Sequence, residues 1–272
     1  MSSRITKKES FAVLLAAMAV VFTLFEGIAL SGEFVARGSD STIGAVQALA
    51  DAFHKKSGTA VKVEGGGSSK GAKDCLAGQV PLAFMSRGPK DSEKSAGLVA
   101  VAYAIDGVAV IVHKSNPVDN LTLEQLKAIY TGQMKTWPEG KPILAFNRPT
   151  TSGTREVFKE VVLGGKTEFD PGIQIKHDKA AVMTVAKAAT AMAFTSADEV
   201  TGNTEVKIVK VNGIAPTPST LRDKSYPIAR TLHFGTKGNA QGDVKAFLDF
   251  AVSDEGQKVL EKAGFVPLRE LK

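Results

Sequence analysis

Three short stretches rich in serine, threonine and glycine each stand directly in front of a segment with helical spacing. They are Gly38-Ser39-Asp40-Ser41-Thr42, Gly65-Gly66-Gly67-Ser68-Ser69 and Thr150-Thr151-Ser152-Gly153-Thr154. A helix start carries unpaired backbone N–H groups and a partial positive charge, so it draws anions. Glycine lets the backbone come close to a ligand, and hydroxyls add donors. One such stretch is an ordinary cap. Three of them, with Arg148 four residues before Ser152, hold the donors that a desolvated oxyanion needs. Ser86-Arg87 adds a hydroxyl and a guanidinium, with a structural salt bridge as the competing role for Arg87.

Other chemistries are testable on the same residues. Gly67-Ser68-Ser69-Lys70-Gly71 fits the Gly-x-Ser-x-Gly elbow of serine hydrolases, with Ser69 as the nucleophile. Such an enzyme needs a later acid and a histidine, and none of His113, His177 or His233 lies in a recognisable motif. A P-loop is excluded because Gly71 is followed by Ala72-Lys73 rather than by Lys and a hydroxyl residue. Four scattered histidines and one cysteine have no metal-ligand spacing, so no metal or cofactor is expected. Cys75 reads as a small buried apolar residue, and Trp137 as a packing anchor.

The elements that must position these residues alternate. A strand candidate at Glu33–Arg37 precedes the first hydroxyl stretch, and Ile43, Val46, Leu49, Ala50 and Phe53 follow at helical spacing up to Gly58. Thr59–Glu64 alternates as a strand and feeds the triple glycine, and a short helix from Lys70 to Ala77 ends at Gly78. Val80–Met85 is a strand running into Ser86. Asp106–His113 is a near-continuous apolar run typical of a buried strand. Thr122-Leu123-Glu124-Gln125 opens a helix with a capping box. Further helices are expected at Ala180–Ala189, Gln241–Val252 and Asp254–Ala263, strands at Ala191–Phe194 and Pro227–Phe234, and a connecting loop at Val211–Ser225. Repeated strand–loop–helix units predict an α/β fold with a largely parallel sheet, in which ligands bind where strand ends meet helix starts.

With 272 residues the chain has room for one large or two modest domains, and 23% charged with 7% aromatic residues is an ordinary globular composition. Its net charge of +6 is scattered, which argues against nucleic acid as a partner and suits capture of an anion. At the N-terminus, Arg4, Lys7 and Lys8 precede an apolar run from Phe11 to Phe25, and Gly27-Ile28-Ala29 supplies small residues. This is the layout of a secretory signal over residues 1–31, with a retained membrane anchor as the alternative.

The chain resembles the periplasmic phosphate-binding proteins of ABC importers, the PstS-like family. The resemblance rests on Gly38 to Thr42, Gly67 to Gly71, Met85-Ser86-Arg87, Leu121 to Trp137, and Arg148 through Ser152-Gly153-Thr154-Arg155-Glu156. It implies the two-lobed type II periplasmic-binding-protein fold, with each lobe a mainly parallel sheet flanked by helices and two crossover strands joining them. Residues 32–112 and 227–272 would form one lobe and 113–226 the other. It further implies an exported, non-enzymatic, monomeric protein that closes on phosphate and passes it to an ABC permease. An anion sensor on the same fold is the alternative. Carried over by motif, the ligand-binding set is Ser41, Thr42, Ser68, Ser69, Ser86, Arg87, Arg148, Ser152, Gly153 and Thr154. Family members that place aspartates at the positions of Ser86 and Thr150 use one to accept the phosphate proton. Asp40 is the candidate acceptor here, with helix capping as its competing role.

Overall fold

The computed structural model describes residues 32–269. The signal-or-anchor reading of residues 1–31 lies outside the described residues. Strand β1 (Glu33–Gly38) buries Phe34 and Ala36 and ends at the first hydroxyl stretch. That stretch turns through a short 3-10 segment, Asp40–Thr42, into helix α1 (Ile43–Ser57), which Gly58 stops in the left-handed conformation. Strand β2 (Ala60–Glu64) lies parallel to β1 and runs through the triple glycine into α2 (Ser68–Leu76). Strand β3 (Leu82–Met85) is parallel to β1 on its other side and ends at Ser86. Because the three strands are parallel, their hydroxyl-bearing ends share one edge of the sheet. Arg37 ties that edge together, with Nη2 2.6 Å from Glu64 and Nη1 2.9 Å from Asp74 of α2.

After helix α3 (Asp91–Ser95) comes β4 (Leu98–His113), a strand of 16 residues. The apolar run at Asp106–His113 is its second half. There follow β5 (Asn120–Leu121), α4 (Leu123–Tyr130), β6 (Leu144–Phe146), α5 (Gly153–Leu163), α6 (Asp178–Val185), β7 (Ala191–Ser196) and β8 (Val206–Val211). The segment expected as a connecting loop contains a short helix, α7 (Pro218–Arg222), started by Thr217 and a first-turn proline. Strand β9 (Ala229–Lys237) and helices α8 (Gly242–Val252) and α9 (Asp254–Lys262) complete the chain. The capping box at Thr122 is formed, with Gln125 N donating to Thr122 Oγ1 at 3.1 Å.

The strand order is β2-β1-β3-β9-β4-β7-β6, with β8 also paired to β4 and β5 paired to β8. The α/β class is as expected, but the sheet is mixed, because β4 and β9 run antiparallel to their neighbours. Strand β4 pairs with β9 through Gly107, and from Val108 onward with β7 and β8. The apolar side chains follow the same change of partner. Tyr103, Ala104, Leu232 and Phe234 pack with Phe34, Leu49, Phe53, Phe84 and Phe247 in one core. Val108, Val110, Val112 and Ile228 pack with Tyr130, Trp137, Phe158 and Phe194 in another. Trp137 is the packing anchor expected, its Nε1 donating to Thr190 O at 3.1 Å. Cys75 is buried, and burial pushes its thiol above the usual range.

Candidate anion-binding site

Five hydroxyls from four separate segments meet in one buried cluster. Thr154 Oγ1, in the first turn of α5, lies 3.2 Å from Ser41 Oγ. Ser41 Oγ is 2.9 Å from Ser39 Oγ, which donates to Ser86 Oγ at 2.8 Å. Ser86 Oγ is 3.3 Å from Ser68 Oγ, and Ser68 Oγ accepts from Ser86 N at 3.0 Å. A hydroxyl has one proton to give, so the chain has a direction. Thr154 donates to Ser41, Ser41 to Ser39 and Ser39 to Ser86. Arg230 heads it, with Nη1 donating to Thr154 Oγ1 at 2.8 Å and Nη2 to Ser41 Oγ at 3.3 Å. Every proton in this chain can turn to an oxyanion. Each exchange replaces a neutral hydroxyl–hydroxyl bond with a charge-assisted one about twice as strong.

Two buried guanidiniums, Arg230 at the cluster and Arg148 before the third hydroxyl stretch, are held by aspartates. Arg230 Nε and Nη2 donate to Asp106 Oδ2 at 2.9 and 2.5 Å, and Ser196 Oγ donates to the same oxygen at 2.6 Å. Arg148, 2% exposed, lies with Nη1 2.6 Å from Asp178 Oδ2 and Nη2 3.2 Å from Lys176 O. The Asp178 contact is an ion pair without hydrogen-bond alignment. Nε and Nη1 of Arg148 are therefore buried donors with no hydrogen-bond partner among the described residues.

The loops are shaped for close approach. Gly67 adopts φ +98°, and a Cβ there would stand 2.4 Å from Thr151 O. The bond from Ser69 N to Thr151 O at 3.3 Å joins the second hydroxyl stretch to the third. Gly153 has no unusual φ, yet a Cβ there would stand 2.2 Å from Ser68 Oγ and 2.5 Å from Ser86 Oγ. Ser152 does not join the cluster. Its Oγ accepts from Arg155 N at 3.2 Å and caps α5.

Residues 27–255 match the model of the PBP superfamily domain. The phosphate-binding protein PstS of Staphylococcus aureus (strain USA300) is 32% identical over 270 residues, covering 89% of this chain and 80% of that protein. The chain belongs to the PstS-like family. PstS of Bacillus subtilis (strain 168) is 29% identical over 250 residues, with 89% of this chain and 83% of that protein covered. A substrate-binding protein from Clostridium perfringens, solved with bound phosphate, superposes with a TM-score of 0.83. It is 33% identical, and the match covers 88% of this chain and 100% of that one. An ABC-type phosphate transport receptor from Vibrio cholerae superposes with a TM-score of 0.74 at 27% identity, covering 86% of this chain and 99% of that one.

In this PstS-like chain the remaining expected site residues surround the cluster. Thr42 is buried, its Oγ1 3.5 Å from Ser39 O. Asp40 Oδ1 accepts from Gly66 N at 3.0 Å and so holds the triple-glycine turn, while His177 Nδ1 approaches the same oxygen at 3.6 Å. Arg87 faces carboxylates instead of the buried hydroxyl cluster. Its Nη2 is 2.7 Å from Glu93 Oε1, and its Nε is 2.8 Å from Glu156 Oε2 of α5. Burial opposes ionisation of Glu93, but the Arg87 guanidinium together with the backbone N–H and charge of Lys90 holds that carboxyl below the usual range. Ser69 Oγ donates to Glu156 Oε1 at 2.5 Å and accepts from Arg87 Nη2 at 3.2 Å and Lys90 Nζ at 3.3 Å. No histidine is among these partners of Ser69.

Glu156 thus joins the third hydroxyl stretch to residues following β2 and β3. Glu156→Gln should weaken anion binding about threefold and flatten its salt dependence, because an ion network that reaches solvent at Lys90 and keeps its Arg87–Glu93 pair is worth about 0.5–1 kcal/mol at this position. Calorimetric titration at two salt concentrations checks this. Four further buried residues join the candidate site: Ser39 and Arg230 bond to the hydroxyl cluster, Asp106 bonds to Arg230, and Asp178 pairs with Arg148.

Proposed function

We propose that the chain captures phosphate, or a closely similar tetrahedral oxyanion, between two lobes and delivers it to an ABC importer. The observation that carries this reading is the directed chain of hydroxyls headed by Arg230, built from segments that flank both cores. The lobes are centred on residues 32–112 with 227–269, and on residues 113–226, with the packing changing over at Gly107–Val108 in β4 and at Ile228 ahead of β9. Strands β4 and β9 pass between them and supply the hinge. Ser39, Ser41, Ser68, Ser86 and Thr154 donate to the anion, helix starts at Ser68 and Gly153 add backbone N–H groups, and Arg230 and Arg148 add charge. Gly153 provides room, Thr42 and Ser152 hold the turns, and Arg87 with Ser69 fastens the rim through Glu156. The role needs no bond-making chemistry, and the PstS relatives are named as binding proteins. A signal over residues 1–31 would export the chain to where an importer receives its cargo.

Calorimetric titration with phosphate and with sulfate across pH tests the reading. Saturable phosphate binding supports it, and no binding of either anion overturns it. Arg148→Ala should weaken phosphate binding by about tenfold to a hundredfold, the worth of a charge-assisted bond to a buried anion. Unchanged affinity would remove Arg148 from the site.

A further inference from the structure

Behind Arg230 a second carboxyl group shares a cavity with Asp106. Asp198 opens the short turn Asp198–Val200 after β7, and its Oδ1 is buried with no hydrogen-bond partner among the described residues. With Asp106 it lines a cavity of about 270 Å³ walled by Ile105, Ile208, Leu221 and Val266. Ser196 hydrogen-bonds to Asp106 and acts on Asp198 as well. Asp198 and Asp106 share this cavity, and from Asp106 hydrogen bonds lead to the Arg230 guanidinium and on to Ser41 and Thr154.

We propose that Asp198 is a positioning residue for the anion site: acting through Asp106, its carboxyl group governs how much of the Arg230 charge reaches the anion. The proposal rests on the anion-capture reading given above. With Asp198 neutral, one carboxylate faces one guanidinium, and Nη1 and Nη2 stay directed at Thr154 and Ser41. With Asp198 ionised, a second negative charge sits beside Asp106 in a poorly solvated place. It competes for the same guanidinium and repels an incoming anion.

The surroundings decide which form is present. Burial first, and then the charge of Asp106, push the Asp198 carboxyl up to about 8. Tyr103 and Asp106 face it from β4 and Arg230 from β9, and Glu199 adjoins it on its own turn. From α6, Asp178 and Lys179 act on Glu199, as does Arg148, the ion-pair partner of Asp178. From β8 the cavity receives Ile208, while Lys207 and Lys210 act on Asp119. The wall from α7 and the C-terminal segment is uncharged, being Pro216, Pro218, Leu221, Gly264 and Val266. Raising the pH through 8 removes the proton, so anion affinity falls. By linkage, a bound anion holds that proton more firmly, so binding takes up protons near pH 8.

Calorimetry of phosphate binding from pH 6.5 to 9.5, on the full chain and on Asp198→Asn, tests this. Phosphate's own ionisation is common to both proteins, so the ratio of their dissociation constants isolates residue 198. The expected result is a change of about tenfold in that ratio across the range, wild type losing affinity at the alkaline end, which corresponds to about one pKa unit of coupling. Wild-type binding should also take up more protons near pH 8 than binding by the variant. A ratio constant with pH, together with equal proton uptake, overturns the proposal while leaving anion capture intact. Failure of both proteins to bind phosphate at any pH overturns anion capture itself. Asp198→Ser serves if the Asn variant does not fold. Proton uptake by wild type alone, measured in buffers of different ionisation enthalpy and corrected for phosphate, decides the same question without any variant.

Discussion

Arg230→Met should lower phosphate affinity more than a hundredfold, the largest loss expected of any single side-chain replacement in this chain. Arg230 orients the hydroxyl chain, because its two Nη groups make Thr154 and Ser41 acceptors and so set the direction of every later bond. Its charge is also the nearest to the cluster, and it is almost wholly buried. Losing it removes a charge-assisted donor and the organisation of the remaining ones, so the effects compound. The same change leaves Asp106 buried without its partner, which costs about 3–5 kcal/mol of stability. A double variant, Arg230→Met with Asp106→Asn, separates the two consequences. It should recover much of the lost thermal stability and none of the affinity, read by calorimetry and by thermal unfolding. Recovery of phosphate affinity in the double variant would show that Arg230 acts only through folding.

The candidate site was legible in the sequence where local signals carry it. Hydroxyls and glycines in front of a helical period mark helix starts, and parallel strands place such starts on one edge. Ser41, Ser68 and Ser86 come together at the ends of parallel β1, β2 and β3 for that reason, and Thr154 meets them from the first turn of α5. Arg230 and Asp106 were not legible as a pair, because 124 residues separate them and no local pattern links them. A signal did exist. Asp106 opens the apolar run Asp106–His113 within β4, Arg230 lies in β9 next to Ala229 and two residues from Ile228 and Leu232, and charges in buried strands must find each other. The first half of β4 was missed for a different reason. Leu98–Ile105 is rich in alanine and shows several part-exposed side chains, so it lacks the apolar density of Asp106–His113. The expected parallel sheet became mixed at the two strands that pass between the cores. A strand that crosses and one that returns must run oppositely, and no local periodicity records direction. Arg87 shows the limit of motif transfer, since the salt bridge weighed against its anion-binding role is what the structure shows, with partners on α3 and α5 that no local pattern marked.

Gly153→Ala tests whether capture requires the two halves to approach as closely as the structure shows. Alanine is a better helix former than glycine by about 0.8–1.0 kcal/mol, and Gly153 is the first residue of α5, where its φ poses no obstacle. Considered on its own half, the substitution is therefore neutral or stabilising. Across the cleft it is not. The new methyl would lie 2.2 Å from Ser68 Oγ, 2.5 Å from Ser86 Oγ and 2.9 Å from Ser68 Cβ. Both serines are fully buried, and Ser68 Oγ is already engaged by Ser86 N, so neither can swing aside without breaking the cluster. The added carbon holds α5 and its Thr154 away from Ser41, which separates the donors that must act together. Phosphate affinity should fall about a hundredfold, with thermal unfolding of the anion-free protein unchanged or slightly raised. Small-angle scattering in saturating phosphate should show a more open shape than wild type. A variant that binds phosphate as tightly as wild type would mean that the close packing of Gly153 on Ser68 and Ser86 is not the geometry in which the anion is held.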